Sequence, residues 1–215
     1  MKRIFSIFLL SSVLLLLSSK TYAISIENPY SKFISDSYYE VSSDYITGIT
    51  DKLENLHGSG SVCIDYLAEE ILLHRGILFA SHTIESYTQN PELIDIIDDI
   101  MDNYSGELRE MRIELTSLID EASKNKGQFK EDTEYVKQYK IAINKLNKAL
   151  SQIKSKNNSE LDYIKQTIAL LEASKEISLI NNECATSELV KKIATNTIEN
   201  STNYISRLKT LETAF

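Results

Sequence analysis

The chain has 215 residues, with 31 acidic against 23 basic side chains and a formal net charge of −8. Two prolines and six glycines are too few for a sandwich or barrel built on many tight turns, and 42% apolar with 25% charged residues is globular rather than disordered. The acidic balance argues against a nucleic-acid partner, which wants a basic face.

Residues 1–23 read as an address. Lys2 and Arg3 open the segment, an apolar run extends from Ile4 to Leu17, and Thr21 and Ala23 stand at minus three and minus one of a small-residue cleavage site. This is the layout of a secretory signal peptide. The alternative is a retained anchor, but the uncharged stretch falls short of the roughly 20 residues that span a bilayer. No Cys follows the run, so a lipoprotein anchor is excluded. Cleavage removes three basic residues and leaves a net charge of −11. The expected product is periplasmic or secreted, with no membrane contact after cleavage.

From about Ser35 onward, apolar residues fall at helical spacing, as in Ile46, Ile49, Leu53 and Leu56. Breaks at His57 to Ser61, Asn90-Pro91, Lys124 to Gln128, Lys156 to Ser159 and Asn181 to Thr186 predict six helices. Asn90, followed by Pro91 and Glu92, predicts a capped helix start; Ser187-Glu188 and Ser159-Glu160 are weaker versions. Compared with itself at a shift of 97 residues, the sequence places Tyr38 over Tyr135, Ile46 over Ile143, Leu53 over Leu150, Asp65-Tyr66 over Asp162-Tyr163, Ile71 over Ile168 and Met111 over Leu208. The shift predicts two three-helix repeats, within 24–127 and 128–215, the first aligning from about residue 31. Chance remains the alternative, because 97 residues are close to a whole number of helical turns. The expected fold is all-α, an antiparallel helical bundle.

With antiparallel neighbours joined by short loops, Cys63 and Cys184 arrive at the same end of the bundle. An oxidising compartment would let them pair; two buried free thiols are the alternative.

The stretch from Asp65 to Met111, DYLAEEILLHRGILFASHTIESYTQNPELIDIIDDIMDNYSGELREM, carries Asp65, Tyr66, Ile71, His74, Gly76, Pro91, Glu92, Leu93, Ile100, Glu107, Leu108 and Met111 at ungapped positions of a helical hairpin. It resembles the family catalogued as domain of unknown function 305. The resemblance implies a ferritin-like helical bundle, exported, whose better-known relatives bind copper through Met and His on this hairpin. Thioether and imidazole groups suit Cu(I). The chain departs from the family at Glu70 and Ala80, which replace two Met, at Leu73, which replaces a His, and at Tyr104, which replaces a Gln. In the second repeat His74 and Met111 become Leu171 and Leu208.

Every His and Met of the mature chain lies in the first repeat: His57, His74, His82, Met101 and Met111. The best residual copper pair is His74 with Met111, and Met101 and His82 are the further candidates. His74 and His82 are about 12 Å apart along a helix and cannot share one ion unaided. The alternative reading makes His74 a satisfied core histidine and both methionines packing. A di-iron centre needs more Glu-x-x-His motifs than the single Glu54 to His57. Asp95, Asp98, Asp99 and Asp102 read as a solvated face. Tyr30, Tyr38, Tyr39, Tyr45, Tyr66, Tyr87 and Tyr104 are either a contact surface or core-edge rings, the latter favoured for Tyr66 and Tyr104. No nucleophile elbow, zinc-protease motif or phosphate loop is present, so no enzyme is expected. The expected function is a non-enzymatic exported bundle with weak or vestigial copper handling, or a structural or interaction module without metal, acting with a protein partner or as a homo-oligomer.

Overall fold

A computed structural model describes residues 37–56, 58–125 and 132–215, with the side chains of Asn125 and Cys184 outside that description. The signal-peptide segment, Tyr30 and His57 lie outside the described residues. Those residues form six helices and no strand: α1 (Tyr38–Glu54), α2 (Val62–Ile84), α3 (Pro91–Asn125), α4 (Thr133–Gln152), α5 (Ser159–Cys184) and α6 (Glu188–Glu212). The chain is an all-α helical bundle. None of these helices is long and apolar enough to cross a membrane.

Helix starts are fixed by short polar side chains that take up otherwise orphaned N–H groups. Ser37 and Glu40 form a capping box on α1. The Asn90 carboxamide oxygen accepts from Glu92 N at 3.0 Å and Leu93 N at 3.3 Å, so Pro91 opens α3 as its sequence predicts. Ser187 caps α6 by accepting from Val190 N. One start differs from the sequence reading, since Asn158 rather than Ser159 caps α5, and Asp132 caps α4. The break expected at Asn181 to Thr186 holds the end of α5 at Cys184.

The two middle helices, α2 and α5, pack against each other at the centre, α2 flanked by α1 and α3, α5 by α4 and α6. Their polar contacts pair Tyr66 with Ser178, Glu70 with Ser174 and Ser81 with Tyr163, so they run antiparallel. Buried on nearly every side, α2 and α5 contribute Leu67, Leu72, Leu73, Ile77, Ile164, Leu170, Leu171 and Ile177 to one continuous core. Gly76 sits where α2 approaches α5: a methyl group there would meet Leu170 at 3.6 Å.

Several contacts recur at the 97-residue shift. The Tyr66 and Ser178 hydroxyls are 3.0 Å apart; the shifted pair, Tyr163 and Ser81, is 2.9 Å apart, with the roles of the two middle helices exchanged. Ser59 N donates to Asp65 Oδ1 at 2.6 Å, and Lys156 N donates to Asp162 Oδ1 at 3.3 Å. Between those groups, both loops pass through a left-handed residue, Gly60 with φ 86° and Asn157 with φ 55°. Glycine takes that conformation without a Cβ clash, and Asn tolerates it better than most side chains. The Asp of each Asp-Tyr pair thus fastens the loop entering its middle helix.

Candidate functional site

His74 lies in the middle of α2, fully buried, where Glu70 on α2 and Tyr104 and Glu107 on α3 converge on it. Its Nδ1 lies 3.0 Å from the Glu70 carbonyl oxygen, one helical turn back, and 3.4 Å from that residue's carboxylate. Its Nε2 lies 2.9 Å from Glu107 Oε2 on α3. The Tyr104 ring covers the imidazole, with centroids 4.3 Å apart and planes tilted by 31°. Burial pushes the imidazole towards neutrality. Hydrogen bonds to Glu107 and Glu70, together with their charges, outweigh burial and raise its pKa to about 9. His74 is therefore an imidazolium at neutral pH, donating from both nitrogens.

Each carboxylate is held again from the far half of the chain. Glu70, completely buried, accepts from Ser174 Oγ at 2.7 Å, and desolvation shifts its carboxyl upward. Glu107 accepts from Asn200 Nδ2 at 2.5 Å and from Thr197 Oγ1 at 3.3 Å, both on α6. Tyr104 and Ser201 hydroxyls meet at 2.9 Å. The result is a charged network linking α2, α3, α5 and α6.

This arrangement bears on the copper expectation, on the side of the satisfied core histidine. An imidazole ligates through a lone pair, and both nitrogens of His74 are already engaged. Met111 is fully buried core and Met101 is half-buried packing against it. His82 is exposed and bonds Glu85 at 2.8 Å on the surface, away from His74. Among the described residues, no group of three or more His, Cys, Asp or Glu is placed to hold a metal ion. Glu70 and Tyr104 are the residues that flank His74, together with Glu107.

Cys63 is buried and carries no disulfide in the structure; its Sγ lies 4.0 Å from Thr186 Oγ1, just beyond the end of α5. The tyrosines correct a second expectation. Tyr38, Tyr66 and Tyr104 are wholly buried rather than at a core edge. The hydroxyls of Tyr66 and Tyr104 reach serines of the other half instead of water. Tyr45 stacks on Phe79 at 3.8 Å and Tyr39 donates to the Ile153 carbonyl, so little of the tyrosine set faces outward as a contact surface. The acidic run on α3 is exposed as expected, and Arg207 of α6 bridges Asp95 and Asp99. Comparison with protein-family models, curated proteins and solved structures finds no match to this chain.

Proposed function

We propose that this chain is an exported, non-enzymatic helical-bundle module, structural or interactive in role, which keeps the frame of a copper-binding hairpin but uses its ligand positions to hold the two halves of the bundle together. The observation that carries the reading is the double engagement of His74 by Glu70 and Glu107, with both carboxylates secured by Ser174, Thr197 and Asn200. A charge buried with its partners satisfied is a structural device, and freeing the imidazole for copper would strand two carboxylates. We also infer that the halves within 24–127 and 128–215 are copies of one three-helix unit, because loop, tyrosine and serine geometry repeat at the shift that aligns the sequence. The N-terminal segment supports an extracytoplasmic destination.

The test is an anaerobic titration of the mature chain, Ile24 to Phe215, with Cu(I) against a chromophoric competitor, beside His74→Ala and Met111→Ala. The module reading expects no competition by the wild type and a large loss of stability in His74→Ala. Sub-micromolar binding that disappears in both variants would establish copper handling instead.

A further inference from the structure

Away from the His74 network, a pocket of about 250 Å³ opens between the end of α1, the start of α2 and the first half of α4. Glu54, Asp65, Glu69, Tyr135, Tyr139 and Lys140 supply its polar and aromatic lining, alongside Val136 and Ile143. Glu69 is 4% exposed and receives a 2.6 Å hydrogen bond from the Tyr135 hydroxyl. Tyr139 donates to the Leu53 carbonyl, and its ring lies parallel to that of Tyr135 with centroids 6.5 Å apart. Asp65 accepts from Ser59 N, and Asn147 donates to Glu54. Among the described residues, Lys140 is the single basic residue of the lining, and it is exposed. Among the described residues no cation stands within ion-pair distance of Glu69, and desolvation drives its carboxyl well above the usual range.

The molecule contains its own control for this site. The residue 97 positions on from Glu69 is Gln166, also buried. Its carboxamide oxygen accepts from Ser42 at 2.7 Å and its nitrogen donates to Ser43 at 2.9 Å. A neutral amide thus fills the equivalent place with both ends satisfied. A carboxyl there costs desolvation that an amide avoids, so packing alone does not call for Glu69. A carboxylate on the wall of a pocket lined by two tyrosine rings is what an organic ammonium group requires: a charge partner and π faces. Mg²⁺ and Ca²⁺ want six or more oxygens in a shell, which aromatic walls do not offer.

We propose that the pocket between α2 and α4 binds a small organic ammonium ion, with Glu69 as its counter-charge and Tyr135 and Tyr139 as its aromatic wall. The site is independent of the His74 network, and its failure would leave the module reading untouched.

The experiment is calorimetric titration of the purified protein with choline and with putrescine, in two buffers of different ionisation enthalpy. The neutral carbon isostere of choline and Ca²⁺ serve as controls. Expected are saturable binding of an ammonium compound, affinity for the isostere weaker by about tenfold or more, and proton release as Glu69 ionises against the ligand. Glu69→Gln, which copies the other half, is expected to lose about tenfold in affinity, and Gln166→Leu to leave affinity unchanged. Should Glu69→Gln fail to fold, proton release and the isostere still decide with the wild-type protein. No binding of either ammonium compound at millimolar concentration, equal binding of the isostere, or binding of Ca²⁺ alone would overturn the proposal.

Discussion

Tyr66 on α2 and Ser178 on α5 place their hydroxyls 3.0 Å apart inside the core, where both side chains are fully buried. The partner relationship, Tyr163 with Ser81, lies at the other end of the same helix pair. Removing one hydroxyl leaves a buried serine short of a partner, at about 1–3 kcal/mol. Tyr66→Phe and Tyr163→Phe are therefore both expected to lower stability, the former by less because Ser178 also donates to Glu70 at 3.5 Å. Along α2 the two sites are separated by about 22 Å, so the double variant should lose the sum. Urea unfolding of the three variants checks this; a double variant much better than the sum would mean the two bonds are not separate fasteners.

His74 makes stability depend on pH. Its folded pKa of about 9 stands above the unfolded value near 6.5, so its contribution is complete below about pH 6.5 and disappears as pH rises through about 9. The raised carboxyl of Glu69 acts with the same sign, since burial favours its neutral form and that contribution is lost as pH rises through its folded pKa. Unfolding free energy is expected to fall by on the order of 3 kcal/mol from mildly acidic to mildly alkaline solution. Denaturant titrations across that range test the sign, and stability that rises with pH would contradict it.

Exchanging the two equivalent polar residues should be asymmetric. Gln166→Glu places a carboxyl between Ser42 and Ser43, which already use an amide's oxygen and nitrogen, and should cost about 2–4 kcal/mol. Glu69→Gln relieves a buried carboxyl, keeps an acceptor for Tyr135, and should change stability by less than about 1 kcal/mol. Thermal unfolding of the two single variants measures the difference directly.

Cys63 lies beside Thr186, so the end of α5 and the start of α2 are neighbours. Cys63 carries no disulfide in the structure, so it is expected to be alkylated under denaturing conditions without added reductant, read by mass spectrometry of the labelled protein. Labelling of Cys63 only after reduction would overturn this, and a bond from it to Cys184 would close a loop long enough to contribute about 4–5 kcal/mol in the chain-entropy account.

Helix number, the interruptions between helices and most of the apolar core were legible because they depend on local spacing: Asn90-Pro91 and Ser187 state their own roles. The Asp-Tyr pairs were visible as a repeat, though not as a loop fastener joined to a deeply buried hydroxyl. What escaped was the inward polar set. Ser174, Ser178, Ser201, Thr197 and Glu70 look like solvent-facing residues when each helix is considered alone, and their burial follows from partners about a hundred positions away. For the same reason the sequence pointed to His74 as a core histidine without naming its partners. Glu107 approaches it from α3, and helical period carries no sign of that. The Glu69 pocket had no local signature either, since its wall is assembled from α1, α2 and α4.

Each half of the chain contains both members of the buried hydroxyl pair, Tyr66 with Ser81 in one and Tyr163 with Ser178 in the other. A surface holding both members is self-complementary, the property of an isologous dimer interface. On the duplication proposed above, the molecule is described as a closed dimer written on a single polypeptide, with its symmetric patch already satisfied from within. Covalent linkage would release two such copies from identity. One retains Gln166 and Leu171 to fill space, while the other, at the matching positions, carries Glu69 and His74, charge that two identical subunits would have had to bury twice.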